Sequence, residues 1–146
     1  MAAPTKRFHP QCCFRGFTDA KGTLLEGRNT YTTTFPKDEL PPVDRTRGGF
    51  WSLTMYDNDY FMLADSPNGR TNVGTVSLDA NELKFAPDGS LTITISHAEP
   101  KDALARMNWL PAPDGQFALI VRTYVPTQSI QDGSYKLPNV ERAGQQ

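Results

Sequence analysis

The feature that most constrains this chain is a two-residue alternation of apolar and hydroxyl-bearing side chains, which recurs along its length. It is cleanest in Leu91–Ser96, where Leu91, Ile93 and Ile95 alternate with Thr92, Thr94 and Ser96. A period of two sends successive side chains to opposite faces of an extended strand, so one face is written for a core and the other for water. Thr30–Phe35 repeats the pattern, with Tyr31, Thr33 and Phe35 against Thr30, Thr32 and Thr34. Phe50–Tyr56 sets Trp51, Leu53 and Met55 against Phe50, Ser52, Thr54 and Tyr56. The longest run, Phe117–Val125, puts Phe117, Leu119, Val121, Thr123 and Val125 on one side and Ala118, Ile120, Arg122 and Tyr124 on the other. Such β-branched and aromatic residues suit a pleated, half-buried surface.

Turn residues separate these runs. The chain has 11 glycines and 12 prolines, and Asp19-Ala20-Lys21-Gly22, Pro67-Asn68-Gly69 and Pro87-Asp88-Gly89 all read as turns. Shorter strands are expected at Phe14–Thr18, Thr23–Leu25, Tyr60–Leu63 and Leu83–Phe85. Helical signal is limited to a short helix started by Pro100 and running to Met107, and one turn at Thr127–Gln131. Many short strands with few helices predict an all-β fold, an antiparallel β-sandwich with one or two short helical turns. Leu53, Ile93, Ile95, Leu119 and Val121 should then share one core. The single domain is read as 14–142, after a flexible segment 1–13 and before a polar tail 143–146.

Composition narrows the partners. Fifteen basic against 16 acidic residues leave a formal net charge of −1, without the basic excess that nucleic-acid binding needs. No apolar run approaches the roughly 18–20 residues of a membrane helix, and no signal peptide is expected in Met1–Gln11. Cys12 and Cys13 are neighbours, which prevents an unstrained disulfide between them and gives no zinc-ligand spacing. The two histidines, His9 and His97, are too few for a three-histidine metal centre. Neither a metal nor a cofactor is expected.

Several stretches carry a family likeness. They are Phe50-Trp51-Ser52-Leu53-Thr54-Met55-Tyr56-Asp57, Asp88-Gly89-Ser90-Leu91-Thr92-Ile93, Asn108-Trp109-Leu110-Pro111-Ala112-Pro113 and Phe117 through Arg122-Thr123-Tyr124-Val125-Pro126. Leu25–Tyr31, Phe35-Pro36, Pro41-Pro42, Asp132-Gly133 and Pro138 extend the match, in order, over roughly Phe14 to Arg142. Together they resemble the domain of unknown function 1214. The resemblance implies a jelly-roll-like β-sandwich. It also implies a domain that usually follows another, numbered 1254, in proteins often exported from bacterial cells. Ser66–Asn72 departs from the family's Asn-Pro-Ile-Asn-Arg-Tyr stretch.

Chemistry rests on few residues. His97 ends the cleanest strand two residues before Glu99, as a hydrogen-bonded strand end or as a general acid or base. Trp109, just before Pro111 and Pro113, which hold the backbone extended, is either a cap on the core or an aromatic platform for a sugar or peptide. Arg122 stands mid-strand, where a charge must face outward or be paired; its fork suits a structural salt bridge or a ligand carboxylate or phosphate. Tyr56 at a rim and Tyr124 beside Arg122 complete the binding candidates. Two functions follow. One is a non-catalytic binding or assembly module for a protein partner, a second copy, a carbohydrate or a small acidic ligand. The other is a small enzyme using acid–base chemistry near His97. A pocket joining His97, Arg122 and a tyrosine would favour the enzyme.

Overall fold

Where the alternation is strongest, the strands form. The computed structural model describes residues 11–143; the segment before Gln11 and the last three residues of the tail lie outside them. The strands are β1 (Gln11–Gly16), β2 (Tyr31–Phe35), β3 (Phe50–Asp57), β4 (Asn72–Gly74), β5 (Leu91–Ser96), β6 (Trp109–Pro111), β7 (Phe117–Tyr124) and β8 (Glu141–Arg142). They make two four-stranded sheets, β1-β7-β3-β4 and β6-β5-β2-β8. Every pairing is antiparallel except β5 with β6. The fold is an all-β sandwich, with three short α-helices among the described residues, α1 (Thr75–Asp79), α2 (Ala103–Met107) and α3 (Gln128–Gln131), and one 3-10 turn at Arg45–Arg47.

The core lies between the sheets. Leu53, Leu119 and Val121 from the first sheet join Ile93 and Ile95 from the second in one buried cluster. Full burial of such side chains contributes about 1.5–3 kcal/mol each. Two aromatic pairs tie the layers together: Phe35 against Trp51 at 5.3 Å and Tyr31 edge-on to Phe117 at 5.8 Å. The central pair runs in register from Phe50 opposite Tyr124 to Asp57 opposite Phe117. That register fixes which side chains share the outer face.

Five local expectations are corrected. Tyr60–Leu63 is no strand: Asp57 accepts the N–H groups of Asp59 and Phe61 at 2.9 Å each, and Tyr60 takes a φ of 63°. The resulting tight loop leaves Tyr60, Phe61 and Met62 exposed. Leu83–Phe85 also lacks a strand partner, because the Asn108 side chain engages both backbone groups of Lys84 at 2.8 Å. The hydroxyl face of β5 is not open, since Thr94 and Ser96 are buried where α2 packs on the strand. That helix begins after Pro100, capped by Asp102, whose carboxylate accepts from the Ala105 N–H at 2.9 Å. Finally, β1 starts at Gln11, three residues before the expected domain edge, because Gln11–Cys13 pair with Tyr124–Arg122.

α1 carries no apolar periodicity long enough to read. It forms because Ser77 accepts the Gly74 N–H at 3.2 Å and Thr75 accepts the Trp51 N–H at 3.0 Å. The helix is thereby fastened to the edge of the first sheet.

Candidate functional site

Strand parity and register gather three of the five sequence candidates on the outer face of the first sheet. On β7, Arg122 lies opposite Ser52 of β3 and Cys13 of β1, while Tyr124 lies opposite Phe50. Tyr56 faces the same way from β3. The Phe50 and Tyr124 rings stack at 4.3 Å with planes 18° apart. Arg122 Nη1 donates to the Tyr56 hydroxyl at 2.7 Å, and its guanidinium carbon sits 5.5 Å from the centre of that ring. The hydroxyl contact raises the arginine's pKa above its ordinary value against the opposing effect of partial burial. The guanidinium is thus tied to Tyr56 by both a hydrogen bond and a ring contact.

These groups line an open cleft of about 330 Å³. Ser52 and Thr54 bring hydroxyls to it, and Asn72 and Gly74 of β4 close one side. Met62 and Val76 form an apolar rim and are exposed. Among the described residues the ion pairs are Arg28–Glu26, Arg45–Asp79 and Arg106–Glu99, so Arg122 has no carboxylate partner there. A guanidinium flanked by aromatic faces and hydroxyls can receive a carboxylate bidentately, with apolar surface beside it.

The remaining candidates lie on the second sheet. His97 is exposed just after β5, with Nδ1 2.9 Å from the Ala112 carbonyl. Nearby Glu99 pairs with Arg106 at 3.3 Å. Trp109 is only 4% exposed and donates its indole N–H to the Ser96 carbonyl at 2.9 Å. Arg70 closes the same corner from outside, donating to the carbonyls of Trp109 at 2.8 Å, Met107 at 3.1 Å and Glu82 at 3.2 Å. Burial pushes its pKa below the ordinary arginine value, with Glu82 acting the other way. His97 is not among the residues that line the Arg122 cleft.

Sequence reasoning missed Met62, Val76 and Asn72 as cleft residues, because they come from a loop, a helix and an edge strand far from β7 in sequence. Phe50 was legible, since it shares the outward parity of Tyr56. Arg70 was also missed. No group of three or more His, Cys, Asp or Glu side chains able to hold a metal occurs among the described residues. No helix among them is long and apolar enough to cross a membrane.

The family model described as protein of unknown function, DUF1214, matches residues 11–128. No curated protein matches the chain. Among solved structures, the crystal structure of the VPA0106 protein from Vibrio parahaemolyticus is similar over 92% of this chain, at 29% identity and a TM-score of 0.72. The chain spans 31% of that protein's length. An uncharacterized protein from Burkholderia cenocepacia is similar over 82% of this chain and 27% of its own, at 18% identity and a TM-score of 0.45.

Proposed function

The chain belongs to the DUF1214 family, and from that premise we propose that it is a non-catalytic binding module that docks a carboxylate-bearing protein partner on the outer face of its first sheet. One observation carries this reading. Arg122, fixed by Tyr56 and without a carboxylate of its own among the described residues, stands beside the Phe50–Tyr124 stack in an open cleft. Arginine and tyrosine are the side chains over-represented where protein interfaces concentrate their binding energy. The exposed Met62 and Val76 supply apolar area around the charge. Acid–base chemistry at His97 has no comparable grouping to support it.

The test is an NMR titration of the chain with a short acidic peptide, acetyl-Glu-Phe-amide. Shifts are expected at Tyr56, Arg122 and Tyr124, and Arg122→Gln should weaken binding about tenfold, the equivalent of one charged hydrogen bond. Equal affinity in the variant, or shifts confined to the His97 end, would overturn the reading.

A further inference from the structure

A second cavity, unrelated to the Arg122 cleft, opens between the two sheets. It holds about 450 Å³, within the range of small-molecule sites. Its inner wall is made of Phe35, Leu53, Leu119 and Val121, all members of the buried core. Phe14 of β1 and Leu137 of the C-terminal segment, both partly buried, frame its mouth. The cavity is half open, so a molecule can reach this apolar wall from solvent.

One polar group stands on the inner wall. Thr33 is 4% exposed and lines the cavity from β2, and its hydroxyl makes no hydrogen bond to another described residue. No buried side-chain polar atom among the described residues lacks a partner, so this hydroxyl is reached from the cavity and is free to pair with a molecule that enters it. Water entering so apolar a space would find few partners of its own. The two charged lining residues do not supply a counter-ion. Asp19 turns its carboxylate to the N–H groups of Lys21 at 2.8 Å and Thr23 at 3.0 Å. Arg15 occupies the β1 position opposite Ile120, on the outward face of the sheet.

We infer that this cavity is a binding site for a small neutral molecule with an apolar body and a single hydroxyl or carbonyl. The body lies against the wall formed by Leu53, Leu119 and Val121, and the polar group pairs with Thr33. A charged ligand is excluded by the lack of any inward-facing counter-charge.

The probe is 1-octanol, titrated into the chain labelled at its Leu, Val and Thr methyl groups, with octanoate as the charged control. Octanol should shift the methyls of Thr33, Leu53, Leu119 and Val121 and saturate, with octanoate at least tenfold weaker. Thr33→Val keeps the side-chain shape, and should stay folded while losing about three- to tenfold in octanol affinity, the range for one hydrogen bond. Absence of these shifts, equal binding of octanoate, or unchanged affinity in Thr33→Val would each overturn the inference. So would protection of the β1 amides by an extended peptide of alternating Val and Thr with no response to octanol, which would give the space to an added strand.

Discussion

Two corners of this molecule are built from the same materials and put them to opposite uses. At the end of the second sheet, Arg70 donates to three backbone carbonyls and Trp109 is enclosed with its indole N–H bonded to Ser96. On the outer face of the first, Arg122 meets a single tyrosine hydroxyl, and the Phe50–Tyr124 stack borders an open cleft. The fold takes three of Arg70's five N–H donors and one of Arg122's, so Arg122 retains more for something outside it. Residue type does not distinguish scaffold from site. The share of hydrogen-bonding capacity that the fold takes does, because an arginine carries five N–H donors and a scaffold can take most or few of them.

That contrast can be broken most forcefully at Trp109. Trp109→Ala should destabilise the domain by about 3–5 kcal/mol, the usual loss for a buried tryptophan, measured as an earlier midpoint in chemical denaturation. A midpoint near that of the parent would remove Trp109 from the scaffold. Arg70→Gln comes next, expected to cost about 1.5–3 kcal/mol as hydrogen bonds from a charged donor to carbonyls disappear. The same experiment reads it, and a change below about 0.5 kcal/mol, as for an ordinary surface position, would mean that the corner holds without its clamp.

The outer face should behave in reverse. Arg122→Gln gives up one hydrogen bond and a cation–π contact with Tyr56, so it is expected to cost about 1 kcal/mol in stability, less than Arg70→Gln, while peptide affinity falls. A smaller effect is expected from Phe50→Ala, which removes one ring of a partly exposed stack worth about 0.5–1.5 kcal/mol. Calorimetric titration with the acidic peptide would detect it as a several-fold loss. A larger loss at Phe50 than at Arg122 would make the face an apolar dock rather than a carboxylate site.

Much of the fold was legible from alternation, and the reason is physical. In Thr30–Phe35, Leu91–Ser96 and Phe117–Val125 one strand face must be buried, so the period of two survives in the sequence. Where backbone groups are satisfied by side chains instead of by a neighbouring strand, the signal misleads. Tyr60–Leu63 has strand-forming residues, yet Asp57 captures its N–H groups in a loop. Lys84 is held by an amide side chain 24 residues away. Neither arrangement leaves a local pattern.

The site was half legible for the same reason. Parity on β3 and β7 places Tyr56, Arg122 and Tyr124 on outward faces, and a mid-strand arginine has to be explained. The register that brings Tyr56 and Arg122 into contact is set by long-range pairing, which composition and spacing do not encode. Trp109 carried two readings because extended prolines suit both an exposed platform and a packed corner. The Ser96 carbonyl that meets its indole belongs to a strand 13 residues earlier in the chain, so only the assembled sheet distinguishes the two geometries.

The most direct test of the division between clamp and site is chemical denaturation of Arg70→Gln and Arg122→Gln, each with and without the acidic peptide. A ligand that binds only the folded state raises stability by about 2.7 kcal/mol at one hundred times its Kd. The parent and Arg70→Gln should therefore both gain from the peptide, although Arg70→Gln starts from an earlier midpoint. Arg122→Gln should start closer to the parent than Arg70→Gln does and gain much less at the same peptide concentration. Peptide stabilisation that persists in Arg122→Gln and vanishes in Arg70→Gln would contradict the account, moving the site to the corner assigned here to the scaffold.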